Sequence, residues 1–563
     1  MDYRAQVTNS IMNALNDELS SAVIYEKLER PKDLSMGDLA FPTFVLAKSM
    51  HMAPNKIAED LVNKIDATNY EKVEVKGAYI NFFLNKPNFG RDVLTTIIAE
   101  GAAYGQNDNG KGGNVPIDMS SPNIAKPMSM GHLRSTVIGN SIAKILTKNG
   151  YNPIKDNHLG DWGTQFGKLI VGYKKWGSEE EVRENPIDNL VKYYVRFHKE
   201  DQENPELDDE ARDWFRKLED GDEEATYLWK WFREESLKEF NSVYKKLGVG
   251  FDTYNGEAFY NDKMDKGINI LKEKDLLHES QGASVVDLEK YGLNPALILK
   301  SDGATLYITR DIATALYRDK TYNPALNLYV VGSEQTYYFE QLKAVLKEMG
   351  VKSAENLHHI PFGLITVNGK KLSTRSGRII LLDEVLDAAI ELAGKQINEK
   401  NPDLANKDEI ARQVGVGAII FGDLKNERTN NIDFVLEDQL RFEGETGPYV
   451  QYSHARAESI LRKANNTNYN NSDMLINDAN AWETLRILHD FPKVIQSACK
   501  DFEPSEIAKY SIRLAKAFNK YYAHSKILVE DQELPARLAL VKSVSIVLKE
   551  ALSLLGVEAP DEM

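Results

Sequence analysis

Lys126, Ser129, Gly131 and His132 lie within seven residues, between an apolar run and an amphipathic one, in VPIDMSSPNIAKPMSMGHLRSTVIGNSIAKILTKNG (115–150). A cation, a hydroxyl, a glycine and an imidazole at that spacing can hold a phosphate and stabilise charge developing on it. Their flanks predict what positions them. Val115 to Ser120 reads as a short buried strand, and Pro122 and Pro127 keep the following residues from turning helical, because proline lacks the N–H and clashes with the preceding turn. From His132 onward Leu133, Val137, Ile138, Ile142, Ile145 and Leu146 recur at helical spacing, with Gly150 placed to end the helix. Strand, tight loop and helix bring unpaired backbone N–H groups and the positive end of a helix dipole to one point, where a phosphate binds readily. Gly131 lets the backbone approach closely, and His132 and Lys126 add charge or donors there.

Two further loops could share that edge. Pro153-Ile154-Lys155 begins a second strand, Asn157-His158-Leu159-Gly160-Asp161-Trp162-Gly163 is a glycine-rich loop, and a helix starts at Thr164. Strand, helix, strand, helix is the first half of a doubly wound parallel sheet, which puts both loops at the same carboxyl edge and makes His158 a neighbour of the phosphate loop. A structural histidine is the competing reading of His158. In 304–341, Leu306 to Thr309 is strand-like, Asp311 begins a helix, and Asn327 to Gly332 is a buried strand ending at Ser333-Glu334-Gln335. Tyr307, Asp311 and Gln335 thus come from different elements and offer the carboxylate, ring and amide that a guanidinium needs. Asp311 serves equally well on paper as a helix N-cap. Finally, Gly369-Lys370-Lys371-Leu372-Ser373-Thr374-Arg375-Ser376-Gly377-Arg378 carries four cations in a glycine-flanked run, suited to closing over a polyphosphate and, taken alone, to an ordinary basic surface.

SPNIAKPMSMGH resembles the first signature of class I aminoacyl-tRNA synthetases, His-x-Gly-His, in the form carried by arginyl-tRNA synthetases, with Ser129 where the first histidine stands. HLGDWGTQFG and RFEGETGPYVQYSHAR (441–456) are similar to the same family. The 369–378 run resembles the second signature, Lys-Met-Ser-Lys-Ser. Lys371, Leu372 and Ser373 match, and Thr374 replaces the second lysine, a loss for which the family compensates with the lysine before the first signature, here Lys126. The resemblance implies arginine activation by ATP, with magnesium accompanying the nucleotide and no zinc, then transfer to the terminal adenosine of tRNA(Arg). It assigns catalysis to His132, Lys126, Ser129, Lys370, Lys371, Ser373 and Arg375. Arginine falls to Asn123, Tyr307, Asp311 and Gln335, with Asp118, in a place often held by glutamate, ranked behind Asp311. ATP falls to Gly131, His158, Gly160 and Gly163. No residue is expected to bind a metal. The alternatives are a tRNA-binding paralogue without catalysis, suggested by Ser129 and the altered second signature, and a small-molecule nucleotidyltransferase of the same His-x-Gly-His group.

The remainder of the chain predicts how these parts are carried. The fold class expected is α/β: a doubly wound parallel, Rossmann-like catalytic domain over 106–450 with helical insertions, a small N-terminal α/β domain over 1–105 and an all-α bundle over 451–563. In the first, Leu39 to Lys48 and Asn55 to Ile65 read as helices, and VEVKGAYINFFL alternates like a strand. Tyr79 and Asn81 then lie on the solvated side of an edge strand or, as the resemblance implies, against the D-loop of tRNA. The acidic stretch 178–226 reads as a solvated helical insertion without chemistry. A helix from Pro504-Ser505 carries Lys509, Arg513, Lys516, Lys520 and His524 on one face with Phe518, Tyr521 and Tyr522 interleaved. That face is either solvated or, given the family, turned to anticodon bases and phosphates. With 563 residues, 42% hydrophobic, the chain is an ordinary multidomain globular protein. A net charge of −16 argues against indiscriminate nucleic-acid binding, and the single Cys499 excludes an intramolecular disulfide. The N-terminus MDYRAQVTNS lacks a basic stretch followed by an apolar one, so a cytoplasmic location is expected; the state expected alongside it, on no motif of its own, is a monomer.

Overall fold

The computed structural model describes residues 3–16, 19–301, 303, 305–367, 370–371, 380–464 and 474–563. The chain divides into two compact units, Met1–Tyr104 with Ala457–Asp490 and Lys516–Val547, and Gly105–Arg456 with Phe491–Ala515 and Leu548–Met563.

In the first unit β1 (Leu39–Pro42), β2 (Tyr70–Lys76) and β3 (Tyr79–Leu84) form an antiparallel sheet with β3 in the middle. The helix expected over Leu39 to Lys48 is therefore not formed at its start. Pro42 has no N–H for a helical bond, and all four β1 residues are buried, which a strand facing cover on both sides achieves and an amphipathic helix does not. Its later part is helical, a 3₁₀ turn at Thr43–Leu46 running into a short helix at Ala47–Met50, and the second expected helix is Pro54–Val62. β3 is not an edge strand either. Every residue from Ile80 to Leu84 is buried, so its alternation separates two covered faces.

The second unit holds a four-stranded parallel sheet in the order β10-β9-β4-β5, made of β4 (Asn114–Asp118), β5 (Asn152–Asp156), β9 (Asn327–Gly332) and β10 (Leu357–Phe362). An antiparallel sheet of β6 (Leu277–Ser280), β7 (Ala283–Val286) and β8 (Ala296–Leu299) belongs to the same core as helix Tyr307–Tyr322, through Val286, Ile298, Ile308 and Ile312. Helices Glu179–Glu184, Pro186–Glu200, Glu206–Glu219 and Glu223–Leu247 form the insertion. β11 (Ile365–Val367), β12 (Lys370–Lys371) and β13 (Ile432–Asp433) complete a small third sheet.

Leu306 to Thr309 is not a strand. Tyr307 opens the helix, because the Leu306 N–H donates to Thr309 Oγ1 (3.2 Å) while that hydroxyl donates to the Ile298 carbonyl (2.7 Å), a side-chain cap that overrides the β-preference of the residues. Asp311 is therefore the fifth residue of the helix, not its cap. In the C-terminal helix Leu534–Leu554, Val541, Val544, Leu548 and Leu552 are buried as the spacing predicts.

β4 passes into helix Met130–Lys148, which lies so close to the strand's exit that a Cβ on Gly139 would stand 2.6 Å from Met119 Cβ. Gly139→Val should cost about 1–3 kcal/mol through overpacking. The check is a lower denaturant midpoint with an unchanged slope.

Candidate active site

The loop between β4 and helix Met130–Lys148 is held against its conformational preference. Ser120, Ser121 and Ala125 all adopt positive φ, at 72°, 52° and 58°, which costs non-glycine residues energy that the surroundings must supply. They do so with directed bonds. Ser120 N donates to Ser135 Oγ (2.9 Å), Thr136 Oγ1 donates to Ser120 Oγ (2.8 Å), and Ala125 N donates to Ser236 Oγ (3.0 Å) on the long inserted helix. The insertion is thus more than a solvated surface. Another of its helices brings Tyr194 to 5.8 Å from Lys126 Nζ, where the ring faces the cation.

Ser129 is the N-cap of the helix in extended backbone. Its N–H donates to His132 Nδ1 (3.0 Å), and its hydroxyl lies 3.2 Å from the same nitrogen. An N–H facing Nδ1 requires a lone pair there, so the ring hydrogen is assigned to Nε2. Burial, together with the charge of Lys126, holds the His132 pKa below the ordinary histidine value. His132 is accordingly a neutral Nε2–H donor rather than the cation that sequence left open. Beside it, a Cβ on Gly131 would meet nothing closer than Ser129 Oγ at 3.4 Å, so this turn of helix is open to approach.

The second loop is laced to the first. Gly160 N donates to Pro122 O (3.1 Å) and Ile124 N to Gly160 O (3.2 Å). A Cβ at Gly160 would fall 2.1 Å from Asn123 Oδ1, so the glycine is what leaves room for the Asn123 side chain. Gly163 has φ +132°, a region open to glycine. His158 packs on Tyr260 with ring centroids 5.7 Å apart, and its Nδ1 is buried without a protein partner.

Asp311 is half-buried and accepts from the Tyr338 hydroxyl. Burial raises its pKa above the usual carboxylate range, an effect that His158 and Tyr338 only partly offset. Glu257 is raised too, again by burial, and it feels the charges of Arg310, His158 and Asp311. Two carboxyl groups held above their normal range within reach of each other suit a cationic ligand, which would restore both to the ionised form. Tyr307, one turn before Asp311, is 71% exposed, and Gln335 is exposed in the turn after β9. Tyr338, three residues beyond Gln335, is the one whose hydroxyl bonds to Asp311. Asp118 does meet a guanidinium, but it is that of Arg318, at 3.3 Å. Sequence reasoning missed Glu257, Tyr338 and Arg318. Only Arg318 had a legible signal, its i+7 spacing from Asp311 on one helix face.

The basic run enters through β12, so Lys370 and Lys371 are paired through backbone with Val367 and Thr366. Their side chains, with Ser373 and Arg375, lie outside the described residues. Directly after them the chain returns to the phosphate loop: Met130 N donates to Ile380 O (3.2 Å) and Leu382 N to Met128 O (2.9 Å). The run is therefore anchored on β11 at its start and on the phosphate loop at its exit.

The remaining candidates lie elsewhere. Tyr79 is half-buried against Phe44, with centroids 5.7 Å apart, and Asn81 is 1% exposed with Nδ2 unpartnered, beneath the surface rather than presenting an edge to a base. Lys509, Arg513, Lys516 and Lys520 are exposed on helix Ser505–His524, with Lys509 paired to Glu427 and Lys520 to Glu483. Tyr522 is exposed, whereas Phe518 and Tyr521 are core residues and cannot stack on RNA as the interleaving suggested. Among the described residues no group of three or more histidine, cysteine, aspartate or glutamate side chains is placed to hold a metal, and no helix is long and apolar enough to cross a membrane.

Residues 93–436 match the family described as tRNA synthetases class I (R), catalytic domain; 450–563 match the DALR anticodon binding domain, and 5–84 the arginyl tRNA synthetase N terminal domain. The chain is 72% identical to an arginine–tRNA ligase of Levilactobacillus brevis and 68% identical to one of Pediococcus pentosaceus, each over the full length of both chains. Among solved structures it resembles the arginyl-tRNA synthetase of Thermus thermophilus, with a TM-score of 0.82 at 26% identity and full coverage of both chains. A neutral imidazole at a helix N-terminus and a pair of raised, half-buried carboxyls are thus set in a sequence alike from end to end, and the chain belongs to the arginyl-tRNA synthetases.

Proposed function

We propose that this chain ligates L-arginine to tRNA(Arg) in two steps, both at the carboxyl edge of the parallel sheet. The observation that carries the reading is the pairing of two unlike sites there: an anion site at the start of helix Met130–Lys148 and the cation-seeking carboxyls of Asp311 and Glu257. An ATP-dependent activation of arginine needs both.

In the first step the arginine carboxylate attacks the α-phosphorus of ATP, which enters as its magnesium complex. The bond to the β-phosphate oxygen breaks, and pyrophosphate leaves with the magnesium. The nucleophile is already ionised, so no general base is needed, and catalysis rests on positioning and on charge stabilisation. His132 donates from Nε2 to the α-phosphate, Lys126 supplies the charge, Ser129 holds the imidazole, and Gly131 lets the phosphate approach. His158, Gly160 and Gly163 shape the nucleotide side, while Lys370, Lys371, Ser373 and Arg375 meet the leaving pyrophosphate. Asp311 takes the guanidinium, flanked by Tyr307 and Gln335, and Asn123 faces the amino-acid backbone. In the second step the 2′-hydroxyl of the terminal adenosine attacks the arginyl carbonyl, and AMP departs. The tRNA is held through Tyr79, with the buried Asn81 left out of the contact, and through Lys509, Arg513, Lys516, Lys520 and Tyr522. With this reading go domains over 1–105, 106–450 and 451–563, a monomeric state, a cytoplasmic location and no zinc.

Arginine-dependent exchange of pyrophosphate into ATP, run with and without tRNA, tests the whole. Exchange that requires tRNA is expected; none under either condition, with tRNA still bound, would indicate a binding protein without catalysis. His132→Ala should lower the exchange rate about 10²–10³-fold, the usual effect of losing one donor to a developing charge. An unchanged rate in Ser129→Ala would remove Ser129 from the ATP site.

Arginine binding should release protons in mildly acidic buffer. The free carboxyls are raised and partly protonated there, a bound guanidinium favours their ionised form, and affinity must therefore rise with pH through the raised range. Calorimetry in buffers of different ionisation enthalpy reads the release, and Asp311→Asn should abolish most of it. Lys516→Glu with Lys520→Glu should weaken tRNA binding and reduce the dependence of log K on log salt by about two contacts' worth. An unchanged slope would take that helix face out of the interface.

A further inference from the structure

Arg318 lies on helix Tyr307–Tyr322 two turns beyond Asp311 and is 1% exposed. Its Nη2 reaches Asp156 Oδ2 at 2.8 Å and Asp118 Oδ2 at 3.3 Å. Those two aspartates are the last residues of β5 and β4 and stand opposite each other in register. Each is the point from which a substrate loop leaves: Asp118 precedes the loop of Asn123, Lys126 and Ser129, and Asp156 precedes that of His158 and Gly160. Asp118 also accepts from Ser121 Oγ (3.1 Å) inside the first loop, and Asp156 Oδ1 accepts from Thr253 Oγ1 (2.6 Å) and Asn255 N (3.1 Å). The face of the guanidinium lies over Tyr329 of β9, 5.1 Å from the ring centroid.

One side chain thus joins three elements. Two carboxylates side by side at the ends of neighbouring strands repel each other in a low-dielectric interior, and a shared guanidinium removes that repulsion only while both strand ends keep their spacing. Because Arg318 and Asp311 ride on one rigid helix, the same contact sets the distance between the carboxylate that takes the arginine side chain and the loops that take the nucleotide.

We propose that Arg318 is a positioning residue for adenylate formation, fixing the amino-acid site against the nucleotide site. The proposal rests on the active-site reading above, and wild-type exchange activity tests that reading separately. Bound one at a time, arginine and ATP each use one side of the junction and are indifferent to the relative placement. The in-line attack, and any ligand that spans both sides, depend on it.

The test uses the full-length chain with Arg318→Lys, which keeps the charge but loses the longer guanidinium whose Nη2 meets both carboxylates while its carbon lies over the Tyr329 ring. Three affinities are measured: arginine, ATP and the non-hydrolysable sulfamoyl analogue of arginyl-adenylate, together with the exchange rate and the thermal midpoint. The separate affinities should change little, while the analogue affinity and the exchange rate both fall about 100-fold, the cost of a misplacement near 1 Å. Asp156→Asn, which removes one arm of the clamp and leaves the Asp118 contact, should shift the same two quantities in the same direction and serves if the lysine variant fails to fold. The proposal is overturned if analogue affinity and exchange rate keep their wild-type values in a folded variant, or if all three affinities fall together with the thermal midpoint, as a purely structural role requires.

Discussion

A guanidinium buried away from water must find partners for five N–H groups, and few single segments can supply them. Arg134, two residues past His132 and 1% exposed, draws its partners from three separate stretches of chain and leaves Nη2 without a hydrogen-bond partner. Its Nη1 donates to the Gly363 carbonyl (2.8 Å) and the Asn430 carbonyl (2.7 Å), and its Nε stands 3.0 Å from Asp423. Gly363 leads into β11 and the basic run, while Asn430 leads into β13, which pairs with β11. The helix carrying His132 is thereby fastened to the stem of the segment expected to meet pyrophosphate. Burial pushes the Asp423 pKa up to about 6 despite its arginine, so this pair contributes specificity of arrangement more than net stability. The rest of the site follows from that fastening, since the basic run, which leaves from β11 and whose exit bonds to the phosphate loop, spans the two only if the helix start and β11 keep their register.

The two ends of the site use opposite electrostatic means. At the phosphate end the histidine is kept neutral and aimed, and charge is left to exposed Lys126 and the helix dipole. A neutral donor already oriented by Ser129 N–H needs no reorganisation as charge develops on the phosphate, whereas a cation there would also bind pyrophosphate and slow its departure. At the arginine end, half-buried carboxyls are raised above their normal range, so that their ionisation is completed by the ligand. Selectivity for a cation then comes from the cost of leaving those groups without one, which is a larger discrimination than shape alone provides.

Much of this was legible in the sequence, for identifiable reasons. The strand, loop and helix around Lys126 and His132 were readable because two prolines and a long apolar periodicity leave few alternatives, and β9 was readable as a continuous apolar run. Asp118 was marked as an acid that would meet a cation, and it does, although the cation is Arg318. What failed did so where tertiary contacts override local preference. Leu39 to Phe41 have the composition of a buried helix turn and become a strand because β3 is available to pair with them. Thr309 turns a β-prone stretch into a helix start by bonding to Ile298, eleven residues away. Glu257 and Tyr338 carry no local pattern at all; they belong to the site because the helices and turns that bear them converge on Asp311, which periodicity cannot reveal. The acidic stretch 178–226 was taken for solvated surface on its charge, but Tyr194 points from it onto the first loop, as does Ser236 on the helix that runs on beyond it.

Ser129 is the position where the chain departs from its family's first signature, and the geometry accounts for the tolerance. The contact that fixes the tautomer of His132 is made by the backbone N–H of residue 129, at 3.0 Å, and any residue that can occupy extended backbone at an N-cap presents that N–H in the same place. Serine is among the residues best suited to cap a helix, so its presence favours the helix start that aims the imidazole. The hydroxyl at 3.2 Å from Nδ1 is an additional neighbour, not the sole support. What a side-chain imidazole at position 129 would add is a second donor toward the nucleotide. Here Lys126, exposed three residues earlier in the same loop, already offers charge in that region. The signature can therefore lose its first histidine without losing the orientation of its second, because that orientation is written in the main chain and only the extra donor was written in the side chain.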